Sequence, residues 1–184
     1  ARTYARLDGL ISWRTWIEAV RAGRTVATNG PLLFAEVDGQ EPGSELSSRG
    51  QVTVEVDLAT IAPVEVIEII VDGDVAHTIS VREGEHQLTA QESIPVDGAR
   101  WIAVRARGGK ARYSGDNYTF AHTTPVYFTD APPNDASRAS ADFLTAVIEE
   151  IWRRVDQRDA WLRPEDREVY RRHLDEALTR LAAN

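Results

Sequence analysis

The chain has no cysteine, no methionine and one lysine, Lys110, all its other cations being arginine. Without cysteine there is no disulfide, no thiolate nucleophile and no thiolate metal centre, in whichever compartment the protein works. No apolar run is long enough for a membrane span. Basic residues are outnumbered by acidic ones, 21 to 29, for a formal charge of -8 and a pI near 5.0. That balance argues against a nucleic-acid partner and an anionic membrane, both of which need a basic surface. The opening residues, Ala1 to Asp8, lack an initiator methionine and the apolar centre of a signal peptide, so the chain is expected to be part of a longer polypeptide, its compartment open between cytoplasm and secretion. Reactive motifs are missing too. Gly108-Gly109-Lys110 lacks the rest of a phosphate-binding loop, and no nucleophile elbow or Ser/His/Asp order occurs.

What remains is an ordinary globular composition, 42% hydrophobic and 27% charged over 184 residues. Ser12 begins a helix predicted to about Ala22, with Trp13, Trp16, Ile17 and Val20 at the i, i+3, i+4, i+7 spacing of one apolar face. Gly23 ends it, with Arg21 and Arg24 beside the negative end of its dipole. A strand over Arg24 to Thr28, a turn at Asn29-Gly30-Pro31 and a strand over Leu32 to Val37 follow. After a loop over Gly39 to Gly50, Gln51 to Leu58 alternates strictly, Val52, Val54, Val56 and Leu58 inward. Val64 to Val71 alternates through Val64, Val66 and Ile69, with Ile67 and Ile70 marking burial from both sides. Asp72-Gly73 is a two-residue hairpin signal. Further strands are predicted over Val75 to Val81, His86 to Val96, Arg100 to Arg107, Tyr118 to Ala121 and Val126 to Thr129.

Beyond the break at Ala131 to Asp135, Phe143, Leu144, Val147, Ile148, Ile151, Trp152 and Val155 line one side of a long helix that Ser137 or Ser140 would cap. Pro164 opens a second helix, its inward face Tyr170, Leu174, Ala177, Leu178 and Leu181. The expected class is mainly β with flanking helices: an immunoglobulin-like antiparallel β-sandwich, an N-terminal helix and a C-terminal helical hairpin, with a closed barrel as the alternative.

One stretch carries a family resemblance. The run from Trp16 to Leu33, WIEAVRAGRTVATNGPLL, resembles the block W-x-E-A-L-K-A-G-R-T-F-V-T-N-G-P-L-L of metallohydrolases of the polymerase-and-histidinol-phosphatase (PHP) superfamily, and within it the CehA/McbA, carbaryl-hydrolase-like type. Phe120-Ala121-His122-Thr123-Thr124-Pro125-Val126-Tyr127 resembles the later A-H-T-S-P-V-Y, and Asp142-Phe143-Leu144 the opening of a last helical element. The resemblance implies a parent that cleaves ester, amide, carbamate or phosphoester bonds with water activated by zinc, manganese or iron. It makes residues 1–30 the end of an upstream barrel domain, 31–130 the sandwich and 131–184 the hairpin. The ligands of that metal have no matching positions here, so neither catalytic nor metal residues are assigned.

Thr28, Asn29 and Gly30 follow a strand end, where a barrel enzyme keeps its active-site loops, and His122 interrupts an apolar approach to a strand; these four are the candidates for an active-site mouth. Against them stand a structural histidine and plain turn chemistry. His77, His86, His122 and His173 have no ligand spacing, Glu149-Glu150 sits on a wet helix side, Asp72 and Asp74 flank a hairpin tip, and Trp13, Trp16 and Trp101 are weighed as sugar-stacking rings, against which the helical spacing of the first two favours core or a contact surface for an absent domain. The expected function is a non-catalytic accessory region of a metal-dependent hydrolase, partnered by the upstream barrel and by further copies of itself as a homo-oligomer. The alternatives are a free-standing immunoglobulin-like module for carbohydrate or protein, and an enzyme with a site of its own. The N-terminal helix is expected to pack only partly on this chain, leaving Trp13 or Trp16 exposed.

Overall fold

A computed structural model describes residues 1–47, 50–112, 115–132 and 135–182. The chain divides into two compact units, Ala1–Pro132 and Pro133–Asn184. The first is a mainly β sandwich with an N-terminal helix, the second a pair of helices.

Two sheets make the first unit. The larger runs β1 (Arg2–Ala5), β2 (Thr25–Thr28), β10 (Thr119–Thr123), β9 (Trp101–Gly108), β11 (Val126–Phe128) and β4 (Glu45–Leu46), with β6 (Val66–Val71) on the other side of β9 and β7 (Asp74–Ser80) beyond it. The smaller is β3 (Leu32–Val37), β5 (Gln51–Ala59) and β8 (Gln87–Pro95). Between them lies one core: Leu33 and Val37 of β3, Val52, Val54, Val56 and Leu58 of β5, and Ile94 of β8 meet Ile67 and Ile69 of β6, Ile102, Val104 and Ala106 of β9, Ala121 of β10, and Val126 and Phe128 of β11. The period-2 alternation of β5 and β9 therefore builds both halves of the core. The Asp72-Gly73 turn has positive φ at both residues, 51° and 103°, as a hairpin between β6 and β7 demands.

Several expectations need correction. On β6 Val66 is half-buried and the inward residues are Ile67 and Ile69, while Ile70, buried outside that core, agrees with burial from both sides. β4 lies in the stretch expected to be loop: two residues pairing in parallel with β11 leave no periodic trace. Residues 1–30 lie inside the sandwich unit, because β2 pairs with β1 on one side and with β10 on the other. The long helix α2 (Asp135–Asp156) starts early enough that Ser137 and Ser140 lie within it rather than capping it. On α3 (Pro164–Ala182) no residue is buried, so Tyr170, Leu174, Ala177, Leu178 and Leu181 form at most a half-covered face.

Helix α1 (Trp13–Arg21) starts at Ser12, whose hydroxyl accepts from the Thr15 N–H while the Thr15 hydroxyl accepts from the Ser12 N–H, at 3.1 and 3.0 Å. It ends at Gly23, φ 72°. Gly43, φ 88°, packs so tightly there that a Cβ on it would lie 2.0 Å from the Ala22 carbonyl oxygen. The Arg24–Asp8 ion pair and the Arg6 N–H on the Arg24 carbonyl tie the same turn to the lead strand. The helix is thus pinned at its C-terminal end, but of its side chains only Ala19 is buried. Trp13 is 75% exposed and Trp16 37%, their rings stacked at 5.7 Å, and Val20, Leu10 and Ile11 are exposed beside them.

On the face of the larger sheet turned from the core, Glu68 of β6 accepts from Arg105 Nε (2.7 Å) and Arg107 Nε (2.8 Å) of β9, and also from the second guanidinium nitrogen of Arg107. The Arg107 hydrogen bond foremost, with Arg105, holds the Glu68 carboxyl below its ordinary 4.5 against the opposing effect of burial. A carboxyl that stays ionised longer in the folded than in the unfolded chain stabilises fully above that ordinary value. The contribution fades as pH falls through the folded value. Glu68→Gln is expected to lower stability by about 1–3 kcal/mol at pH 7. In urea titrations the gap to the parent should narrow as pH drops from 4.5; a constant gap would mean that the carboxylate charge is not what stabilises.

Candidate functional site

The candidate residues sit on one strand pair. β2 and β10 run antiparallel with Thr28 opposite Ala121 and His122 opposite Ala27. Directly opposed residues share a face, so Thr28 points to the core side with Ala121 whereas His122 points away from it. The pairing brings all four residues near one another but does not aim them into one pocket.

Thr28 is 2% exposed. Its hydroxyl donates to the Pro31 carbonyl (2.7 Å), with the Phe120 carbonyl at 3.1 Å, and accepts from the Gly30 N–H (3.0 Å). This bonding closes the Asn29-Gly30-Pro31 turn from inside. Asn29 extends the ladder by a side chain: its N–H donates to the Phe120 carbonyl (3.0 Å) and its Oδ1 accepts from the Phe120 N–H (2.8 Å). Its Nδ2 donates to the Tyr118 carbonyl (2.9 Å) and to Asp116 Oδ2 (3.0 Å). Both functional groups of the amide are occupied in fastening the β9–β10 connection to the end of β2.

Gly30 borders an open groove of about 510 Å³ lined also by Leu32, Thr60, Ile61, His86 and Gln87. The His86 ring contributes Nδ1 to the Thr60 carbonyl at 3.0 Å, which the carbonyl can only accept. His122 is held alike: Nδ1 donates to the Thr123 carbonyl at 2.6 Å and the ring stacks on Phe120 at 6.2 Å. Its strand neighbour across β9 is Arg105, one of the Glu68 partners.

The four imidazoles are on separate elements: His77 on β7 near Glu92 (3.5 Å), His86 before β8, His122 on β10 and His173 on α3. Among the described residues no three His, Cys, Asp or Glu side chains group so as to hold a metal ion. Glu149 and Glu150 are held by arginines rather than by each other: Arg171 binds Glu149, and Arg153 first and Arg154 second hold the Glu150 carboxyl down to about 2. Both stay ionised at neutral pH, so neither donates a proton as a general acid would.

Sequence reasoning missed the Glu68–Arg105–Arg107 cluster and Asp116. The first had a signal, a lone Glu within an otherwise aliphatic strand; the second had none, lying 87 positions from its partner Asn29. Comparison with protein-family models, with curated proteins and with solved structures finds no match. Among the described residues no helix is long and apolar enough to cross a membrane.

Asn29→Ala removes three side-chain hydrogen bonds and strands the Phe120 N–H, an expected loss of about 2 kcal/mol. Thermal unfolding of the variant reads this directly, and a change under about 0.5 kcal/mol would show that the clasp is not structural.

Proposed function

We propose that this chain is a non-catalytic accessory region of a PHP-type metal-dependent hydrolase, its sandwich of immunoglobulin-like kind, and that α1 and the Thr28–Gly30 turn form the side that supports a catalytic barrel. The observation that carries the reading is the outer face of α1. Trp13, Trp16 and Val20 are exposed together on a helix capped at one end and pinned by Gly43 at the other, and Leu10 and Ile11 are exposed in the segment that leads into it. Exposed apolar clusters of this density mark contact surfaces. The helix runs into the stretch Trp16 to Leu33 that resembles the block following such a barrel, with Trp16 and Val20 inside that stretch and Trp13 just before it.

The same cluster suits a carbohydrate poorly. Trp13 and Trp16 lie face to face, 17° from parallel, so each ring covers part of the other instead of offering a flat platform. Trp101 is half-buried and stands on β9, not on α1 with the other two. The reading leaves bond cleavage to metal-activated water held by the barrel, and gives this chain's residues the work of positioning and of closing one side.

Of the pair Trp13→Ser and Trp16→Ser, the first, at a ring 75% exposed, should leave the stability of this chain within about 0.5 kcal/mol, and the second, at a ring 37% exposed, should cost about 1–3 kcal/mol. Joined to a PHP-type barrel in one polypeptide, the same pair should lower barrel stability and turnover together. Turnover of an aryl ester or phosphoester by this chain with zinc or manganese, or indifference of the joined enzyme to the pair, would overturn the reading.

A further inference from the structure

The helical unit has a second uncovered surface, independent of the one above. Along α2, Phe143, Leu144, Val147, Ile148, Ile151 and Val155 repeat every three or four residues. Phe143 is 68% and Ile151 41% exposed; Leu144 and Val147 are exposed too, and Ile148 and Val155 half-buried. Helix α3 does not cover this stripe. It meets α2 through Trp152, which stacks with Tyr170 and has the tilted ring of Trp161, before α3, beside it, through Arg167 on Asp156 (2.6 Å), and through Arg171 on Glu149 (3.1 Å). At 100° per residue, Glu149, Trp152 and Asp156 lie on the order of 150° around α2 from the line joining Val147 and Ile151. The ion pairs and the aromatic cluster, Tyr170 included, thus occupy one side of α2, and the aliphatic stripe the other.

Two helices cannot enclose a core by themselves, and among the described residues of this unit none is buried. We infer that a second copy of this chain covers the stripe, the two hairpins closing face to face into a four-helix bundle. Area favours that occupant. Helices of 22 and 19 residues present a face of roughly 30 by 20 Å, which with its relief approaches the ~800 Å² per partner of a standard interface. Shape favours it too: beside the stripe a groove of about 350 Å³, lined by Phe143, Ala146, Val147, Glu150, Ile151 and Arg154, is of a size to take a projecting aromatic ring. In a two-fold pairing Phe143 of each copy supplies that ring. An identical face also matches the stripe in length without further adjustment, and left-handed packing at shallow crossing angles is the usual arrangement of such bundles.

Sedimentation equilibrium of the whole chain should give twice 20.5 kDa at about 50 μM, a concentration at which an interface of this size is populated. Val147→Asp with Ile151→Asp should raise the dimer Kd by at least ~100-fold. Trp13→Ser with Trp16→Ser should leave it unchanged, which separates this surface from the α1 face. Circular dichroism and the urea midpoint of the sandwich verify folding of each variant. A second readout leaves the stripe intact: since the chain lacks cysteine, Ala146→Cys, a small exchange at an exposed position lining the groove, provides one site for crosslinking, and a bis-maleimide should join two copies through it. A monomeric parent, a dimer that survives the α2 pair, or one lost only with the tryptophans would overturn the inference.

Discussion

The seam between β2 and β10 governs how the first unit is put together. Three backbone pairings of this antiparallel join, Thr28 with Ala121, Ala27 with His122 and Val26 with Thr123, are continued past the end of β2 by the Asn29 side chain. Because the two strands lie far apart in sequence, the join costs considerable loop-closure entropy. The Asn29 amide, the buried Thr28 hydroxyl and the Thr25–Thr124 hydroxyl pair (2.7 Å) offset part of it. Once made, the seam fixes the turn after α1, and Gly43 packed on Ala22 and Gly23 then fixes the helix. The aromatic face of α1 is therefore presented by a framework and not by a loose tail.

Two kinds of apolar stripe follow different rules in this chain. In β5 and β9 the alternating residues find an opposing sheet, and burial at about 25 cal/mol per Å² rewards them. In α1 and α2 the helical stripes have no such opposite within their own unit, and polar side chains do the local holding: the Ser12–Thr15 box, the Arg24–Asp8 pair, and the Glu149, Glu150 and Asp156 pairs with arginine. Exposed ion pairs of that kind contribute little each. Both helices leave aliphatic or indole surface exposed beside these pairs.

The sequence is most informative where periodicity and burial coincide. The inward residues of β5 and β9 and the Asp72-Gly73 hairpin can be read directly, because alternation and paired positive φ have single structural solutions. Caps are legible at α1, where Ser12 has a free choice of partner, and misleading at α2, where Ser137 and Ser140 fall inside a helix that begins at Asp135. Helical spacing shows that Trp13, Trp16, Ile17 and Val20 share a side but not whether anything faces that side, since the pattern is the same for a core and for a docking surface. Among the candidate site residues the turn chemistry of Thr28, Asn29 and Gly30 is visible. That Asn29 reaches Asp116 and Tyr118, and that His122 turns away from Thr28, depends on strand register, which no local pattern encodes.

Amide hydrogen exchange of α1 in the isolated chain tests the central claim most directly. If the helix is a fixed part of the sandwich unit, the amides of Trp16, Ala22 and Arg24, bonded to the Ser12, Glu18 and Ala19 carbonyls, exchange as slowly as those of β2 despite the solvated aromatic face above them. Exchange of these amides at the rate of an unstructured peptide, with β2 still protected, would mean that the helix is not held by the seam and that its exposed face is no presented surface.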